Sequence, residues 1–307
     1  MTLDNLGVHH KIFFNENSLY EGGKISDLIK AYKEKNLSYE KGSAVWLKLS
    51  ELGQAEDKVI VKNTGEPTYR LPDIAYHIEK IKRGYDLLVD LFGSDHNATY
   101  PDVMAGIKAL GYDSSKVKVL IHQFVTIMEG GEVVKMSTRK ANFITLDELT
   151  DEVGIDVVRY FFNMRNITSH MVFDLDLAKK HSDENPVFYL QYAHARISSI
   201  MREVKREDLE PSVDNLSLLT NEHEQNLLKT LNNFKEKVLF CAENFEAHLL
   251  CNYLEELAAA YHRFHRFCRI LGTERNLAEA RLALAVATKI VLKNGLSILG
   301  VSAPERM

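Results

Sequence analysis

The sequence predicts an α/β fold followed by an all-α helical bundle. Three observations predict it. Between residues 59 and 150 helix-like and strand-like runs alternate; from about residue 182 apolar residues recur at helical spacing with only short loops between them. A chain of 307 residues that is 45% hydrophobic and 26% charged can also bury a substantial core, with about two domains as the prior for this length.

The elements follow in order. Residues 1–58 hold a helix-like run, Ile25 to Lys35, and a strand, Ala44 to Leu49. Leu71-Pro72-Asp73 opens a helix with Pro in its first turn and an acid beside it, running to Arg83 and stopped by Gly84. An apolar strand, Tyr85 to Phe92, ends in Gly93-Ser94-Asp95-His96. Pro101 to Leu110 is a short helix closed by Gly111, and a second apolar strand runs from Val117 to Val125. The basic segment Lys135-Met136-Ser137-Thr138-Arg139 comes next, before a capped helix start at Thr145 to Glu148. This alternation specifies a parallel sheet with helices on its faces, whose ligands bind beyond the carboxyl ends of the strands. Asp95, His96 and the Lys135 loop project there. A connector, 151–181, carries a helix, Asp156 to Met164, and the alternation Val172 to Leu177. The bundle, 182–307, shows its period in Leu249, Leu250, Tyr253, Leu254, Leu257 and Tyr261. Internal repeats and low-complexity tracts are absent.

Composition excludes several classes. The sequence shows no run approaching the roughly 18 apolar residues of a membrane span, and Met1 to Asn5 does not read as a signal peptide. Cys241, Cys251 and Cys268 are odd in number and not closely paired, as expected of thiols used as small core residues in a reduced, cytoplasmic setting. The net charge of −5 argues against a nucleic-acid binder, but its distribution does not. From Tyr261 onward eight cations face three acids, a net +5, which leaves −10 on the preceding 260 residues. A local phosphate-facing patch or a solvated helix face leaves such an asymmetry.

Asp73 lies where the positive end of a helix dipole favours an ionised carboxylate, suited to pairing a guanidinium or simply to complementing the helix start. His122, in the second strand, is placed to touch a nucleoside or to bond a backbone carbonyl in the core. His262, His265 and Cys268 recur every third residue, but structural zinc needs four ligands and no fourth is placed, so no protein-bound metal is expected. Arg263, Arg266 and Arg269 recur in parallel with Phe264 and Phe267. Arginine and aromatic side chains together suit unstacked RNA bases and phosphates; a core stripe with an exposed basic face is the plainer alternative.

Thr68-Tyr69-Arg70-Leu71-Pro72-Asp73-Ile74-Ala75-Tyr76-His77, Gly93-Ser94-Asp95-His96, the Lys135 loop, Asp183-Glu184-Asn185-Pro186-Val187, Gln191-Tyr192-Ala193-His194-Ala195-Arg196 and the terminal Ala303-Pro304-Glu305-Arg306-Met307 together resemble class I arginyl-tRNA synthetase, collinearly over nearly the whole chain. No His-x-Gly-His signature is present, so the resemblance is to the C-terminal portion of the family. It implies the second half of a Rossmann-like nucleotide-binding fold followed by a helical anticodon-binding domain. Residues 1–58 would be a connective insertion, 59–150 the half-domain with its basic loop, 151–181 the connector and 182–307 the anticodon-binding domain. The implied reaction is arginine–tRNA ligation in the cytoplasm: ATP with Mg²⁺ activates arginine, which passes to tRNA-Arg. The family is mostly monomeric.

The resemblance assigns Tyr69, Asp73 and His96 to arginine, and Asp95, His122, Phe124, Val125, Lys135, Met136 and Ser137 to ATP or the adenylate. It assigns Tyr189, Tyr192, Arg196 and Met307 to the anticodon, joined by Arg263, Arg266 and Arg269. Where arginine's carboxylate attacks the α-phosphorus, charge gathers on departing pyrophosphate and fixed cations lower the barrier. Lys135 matches the family's first loop lysine; Thr138 stands in place of the second, leaving Arg139 or Lys140 to supply the other charge. Asn97 stands where many relatives have a second His. A stand-alone RNA-binding module or a helical interaction scaffold is the alternative to a catalytic role.

Overall fold

A computed structural model describes residues 2–134 and 144–307. In chain order, a single turn α1 (Thr2–Asn5) precedes α2 (Asn17–Glu21) and α3 (Lys24–Glu34), then strands β1 (Ser38–Lys41), β2 (Ala44–Leu47) and β3 (Lys58–Val61). Helix α4 (Arg70–Lys82), β4 (Leu88–Gly93), α5 (Tyr100–Ala109) and β5 (Val117–His122) follow. Then come β6 (Val125–Glu129), β7 (Glu132–Val133), α6 (Leu146–Val153), α7 (Ile155–Asn163), β8 (Met171–Asp174) and α8 (Leu175–Ala178). The chain closes with α9 (Pro186–Val204), α10 (Glu222–Asn232), α11 (Phe234–Asn244), α12 (Ala247–Phe267) and α13 (Arg275–Leu299). These elements form two compact units: residues 10–124, and 2–9 with 125–307.

In the first unit the meander β1-β2-β3 is antiparallel, while β4 and β5 pair in parallel, Leu88 opposite Val117 through Gly93 opposite His122. Its core is built from Leu19, Ile25, Leu28, Tyr32, Leu47, Ile60, Leu71, Ile74 and Ile107, that is, from helices α2 to α5 and the meander. The sheet face turned inward carries Leu88, Asp90 and Phe92 at the two-residue period of a strand; the other face shows Val89 and Leu91 to solvent.

The apolar run Val117 to Val125, expected as one strand, is two. Gln123 and Phe124 interrupt it: β5 pairs with β4, and Val125, the last residue of the run, opens β6, which pairs with β7 and β8 in another sheet. Hydropathy cannot register a change of partner, so a mainly apolar stretch, in which Lys118, His122 and Gln123 are the polar residues, does not reveal the break. The break is also where the compact units divide.

In the second unit α9, α12 and α13 surround a core that includes Leu190, Ile197, Leu254, Leu257, Tyr261, Phe264, Leu284, Leu292 and Leu296. Helix α13 corrects one expectation. By length and composition it is apolar enough to cross a membrane, with an 18-residue window of mean hydropathy 1.6. One side of it is buried in the bundle, Leu282, Ala285, Leu292 and Leu299 among its buried residues, while Ile290 and Ile298 stay exposed. It ends at Gly300, whose φ of 71° is left-handed and whose missing Cβ would meet the Arg159 guanidinium. Arg159 fills that space, donating from Nε to Leu299 O at 2.9 Å and from Nη1 to Leu6 O. A buried pair, Arg281 Nε to Glu224 Oε1 at 2.6 Å, joins α13 to α10, where Glu224 also completes the capping box of Asn221.

Candidate substrate and nucleic-acid sites

Asp73 enters α4 in its first turn, and the next turn brings His77 beneath it. His77 Nδ1 donates to Asp73 O at 2.7 Å and Nε2 donates to Asp90 Oδ2 at 2.6 Å; Lys80 also bonds Asp90. Burial works to raise the Asp90 carboxyl, but the bonds from His77 and Lys80 outweigh it and hold the group below the usual carboxylate range. This buried set fixes the second half of α4 against β4, just beyond whose end lie Asp95 and His96. Asp73, His77, Phe92, His96, Thr99, Tyr100 and Val103 line one small depression, with the His96 ring stacked on Phe92 at 5.1 Å.

The helix dipole does not decide the state of Asp73. Burial raises its carboxyl above the usual range, and the charges of His77 and His96 only partly offset this. A cation brought to Asp73 would therefore meet a carboxylate that lacks a full counter-charge. Of the residues expected near arginine, Asp73 and His96 come together, whereas Tyr69 is 90% exposed and outside the depression. Asp95 is exposed. His122 ends β5 and donates from Nδ1 to Gln123 O at 2.5 Å, the backbone bond that was the alternative for it. Phe124 is exposed at the end of the first unit and Val125 is half-buried at the start of β6 in the second. Lys135, Met136, Ser137 and Arg139 lie outside the described residues.

In the second unit α9 starts at the Asn185 cap, with Pro186 in its first turn, and places Tyr189, Tyr192 and Arg196 beside α12. Phe188 and Tyr192 stand one turn apart with rings parallel within 5°; Tyr192 continues onto His262 at 6.0 Å, and Tyr189 tilts against the same ring at 4.8 Å. Arg196 donates from Nη1 to Tyr192 Oη at 2.6 Å and from Nε to His265 Nε2 at 3.3 Å. His265 is therefore an acceptor at Nε2 and neutral; burial, then the Arg196 charge, keep its pKa low. The same causes take His262 down to about 4.

A groove of about 490 Å³ is lined by Tyr192, Arg196, Ser199, Arg202, His265, Arg306 and Met307, a size typical of small-molecule sites at ~300–1,000 Å³. A smaller depression of about 280 Å³ takes in Arg266 and Arg269 and shares Ile200, Glu203 and His265 with the groove. Tyr189 and Arg263 line neither. Arg263, Arg266 and Arg269 are all exposed, Phe264 is buried, and Phe267 is exposed, stacked on His223 at 4.5 Å beneath the Arg266 guanidinium.

The basic excess after Tyr261 is smaller than its count. Arg275, Arg281 and Lys289 pair with Glu279, Glu224 and Glu305. Among the described residues no ion pair engages Arg263, Arg266, Arg269, Lys293 or Arg306, which leaves these to face an anion. Sequence reasoning missed Asp90, Lys80 and Phe188, quoted His77 only as part of a motif and weighed His265 only as a metal ligand. The spacing of Phe188 to Tyr192 could have shown Phe188, since residues four apart share a helix face. The Arg196–His265 bond spans 69 positions and left no local signal.

His262, His265 and Cys268 do not form a metal row. His262 is inside the aromatic stack, His265 accepts from Arg196, and Cys268 is buried beyond the end of α12. Among the described residues no group of three or more His, Cys, Asp or Glu is placed to share an ion.

Residues 2–174 match the catalytic domain of class I tRNA synthetases of the arginine type, and residues 190–307 match the DALR anticodon-binding domain. Arginine–tRNA ligases of Desulfotalea psychrophila and Salinibacter ruber are 48% and 47% identical over all of this chain. The chain spans 56% and 55% of their lengths. A structure described as an arginyl-tRNA synthetase from Campylobacter jejuni superposes with a TM-score of 0.88 at 29% identity, covering all of this chain and 66% of that one. The Thermus thermophilus arginyl-tRNA synthetase shares the fold, with a TM-score of 0.81 at 22% identity over all of this chain and 62% of its own. Both parts of the chain, matched in the same order, thus lead to one conclusion: the chain belongs to the class I arginyl-tRNA synthetase family.

Proposed function

We propose that this chain supplies a C-terminal portion of arginine–tRNA ligase, comprising the second half of the ATP–arginine site and the domain that reads the anticodon of tRNA-Arg. Residues 1–58 serve as the connective insertion, 59–150 as the catalytic half-domain, 151–181 as the connector and 182–307 as the anticodon-binding domain. In the whole ligase, a cytoplasmic monomer, arginine's carboxylate attacks the α-phosphorus of Mg²⁺-bound ATP and pyrophosphate leaves; a hydroxyl of the terminal ribose of the tRNA then attacks the arginyl carbonyl of the adenylate and AMP leaves. Asp73 pairs the arginine guanidinium, with His96 in the same depression; the family pattern also gives Tyr69 to arginine, from its exposed position outside that depression. Asp95, His122, Phe124, Val125, Met136 and Ser137 hold the adenylate, while Lys135 and Arg139 balance charge on the leaving group.

The observation that carries this reading is the groove where Tyr192, Arg196, His265, Arg306 and Met307 converge: aromatic faces, fixed donors and a cation suit a base displaced from its stack. Arg263, Arg266 and Arg269 on the exposed side supply the phosphate contacts.

Fluorescence anisotropy of the 307-residue chain with a labelled tRNA-Arg anticodon stem-loop tests it. Affinity is expected to fall about 10-fold or more from 50 to 200 mM salt, and replacing the three arginines with Gln flattens the slope. Equal binding of an unrelated stem-loop would reject anticodon recognition.

A further inference from the structure

The last seven residues do not trail from α13; they run along α9, tied at Ser302, Pro304 and Glu305. Ser302 N donates to Asp156 Oδ1 at 2.9 Å, and its hydroxyl bonds the other carboxylate oxygen. Gln191 Nε2 donates to Asp156 Oδ2 at 2.8 Å and to Ser302 O at 3.1 Å. Farther along, Arg202 reaches Glu305 O at 3.3 Å and Lys289 pairs with the Glu305 carboxylate at 2.8 Å. These outer contacts are exposed and individually weak.

The inner contact differs in kind. His194, 1% exposed, donates from Nδ1 to Pro304 O at 2.8 Å, while its Nε2 is buried without a hydrogen-bond partner. Pro304 has no N–H, so its carbonyl is the group through which the backbone there can be held. A proton on Nε2 would be a buried charge with no acceptor, which fixes the Nδ1–H tautomer and aims the only donor of the ring at the tail. Burial lowers the pKa of His194 in keeping with that assignment. Two residues beyond Pro304 come Arg306 and Met307, both lining the groove.

We propose that His194 is a positioning residue for RNA recognition: by holding Pro304 it sets the C-terminal segment in place, so that Arg306 and Met307 form one wall of the groove that receives an RNA base. The inference rests on the anticodon-binding reading of that groove. His194 itself lies behind the tail, touches no groove surface and acts only through the segment it holds.

A double-mutant cycle on the full chain tests it, with the anticodon stem-loop as probe. His194→Leu removes the donor; His194→Asn retains one near the Nδ1 position; a chain ending at Ser302 removes the held segment. His194→Leu and the truncation should each weaken binding about 10-fold, and the two combined should be no worse than the truncation alone, within about 2-fold. His194→Asn should stay within about 3-fold of the parent. Additive losses, or no loss in His194→Leu, would overturn the proposal. Carboxypeptidase trimming, followed by intact mass, supplies a readout without RNA. The parent and His194→Asn should resist removal of residues before Arg306, and His194→Leu should not. Equal trimming of all three overturns the positioning role, whereas a parent that resists trimming yet binds no RNA refutes the anticodon reading instead.

Discussion

In the helical unit α9, α12 and α13 build a shared core from one side of each helix, even though Ile290 and Ile298 of the hydrophobic α13 stay exposed. In the unit spanning 10–124, the parallel strands β4 and β5 leave Leu91 69% and Val89 41% exposed. Parallel strands are ordinarily covered on both faces, because their crossover helices fall on either side. Here α4 and α5 supply the inner cover only, and most of the core is drawn from the meander and the helices rather than from the sheet. The difference teaches where each unit's stability resides: in the helical unit it is spread over the bundle, and in the other it lies away from the strands that carry Asp95, His96 and His122.

The sole tryptophan, Trp46 in β2, makes the two units separately observable. Its fluorescence reports the 10–124 unit, and helical circular dichroism is dominated by the bundle. The largest effect is expected from Arg281→Met, which leaves the Glu224 carboxylate buried without its counter-charge, held by the capping-box bond from Asn221 N. The bundle should lose about 3–5 kcal/mol in urea unfolding followed by dichroism. The Trp46 transition should not move; a parallel shift of both would show that the units unfold as one.

A smaller effect tests the buried histidine of the aromatic stack. Burial lowers the pKa of His262 to about 4, against an ordinary 6.5. A depressed folded-state pKa means that the unfolded chain takes up the proton first, so stability is fully present above about 6.5 and is lost as pH falls from 6.5 toward 4. With allowance for the partial exposure of the ring, the loss should be about 1–2 kcal/mol in the bundle transition, and His262→Phe should flatten it. An unchanged pH slope in that variant would assign the acid sensitivity to other groups, His194 and His265 first.

The smallest effect sharpens the contrast within the sheet itself. Leu91→Glu should change the Trp46 transition by less than about 0.5 kcal/mol, as expected at an exposed position. Leu88→Ala, on the inward face of the same strand, should cost about 2 kcal/mol or more. Equal costs would mean that both faces of β4 are packed.

What the sequence disclosed follows the range of its signals. The apolar run and the helical patterns marked β4, α4 and α5 to within a few residues, and the bundle as helical without bounds for its helices, because burial of one face is a local property. The three-residue recurrence of His262, His265 and Cys268 looked like a shared face, but each step of three turns a helix back by about 60°, and over two steps the side chains diverge. Charge counting gave the excess after Tyr261 but not the partners that consume part of it, since Glu224 lies 57 positions from Arg281. Asp73 was legible as a helix-start acid, whereas its burial depends on neighbours brought by β4 and the turn after it. The fold-back of the tail onto His194 spans 110 positions and has no local pattern at all.

Gly300 ties distant parts of the chain to the absence of a single methyl group. Alanine there would take up a left-handed backbone at a cost and also occupy the volume of the Arg159 guanidinium. Displacing that side chain releases Leu299 O, at the end of the last helix, together with Leu6 O, near the start of the chain. A substitution in the final turn would thus be felt nearly 300 residues upstream, and hydrogen exchange near Leu6 would report damage done at position 300. The unit assembled from residues 2–9 and 125–307 is in this sense closed like a ring, with one arginine as the clasp and one missing side chain as the notch into which it fits.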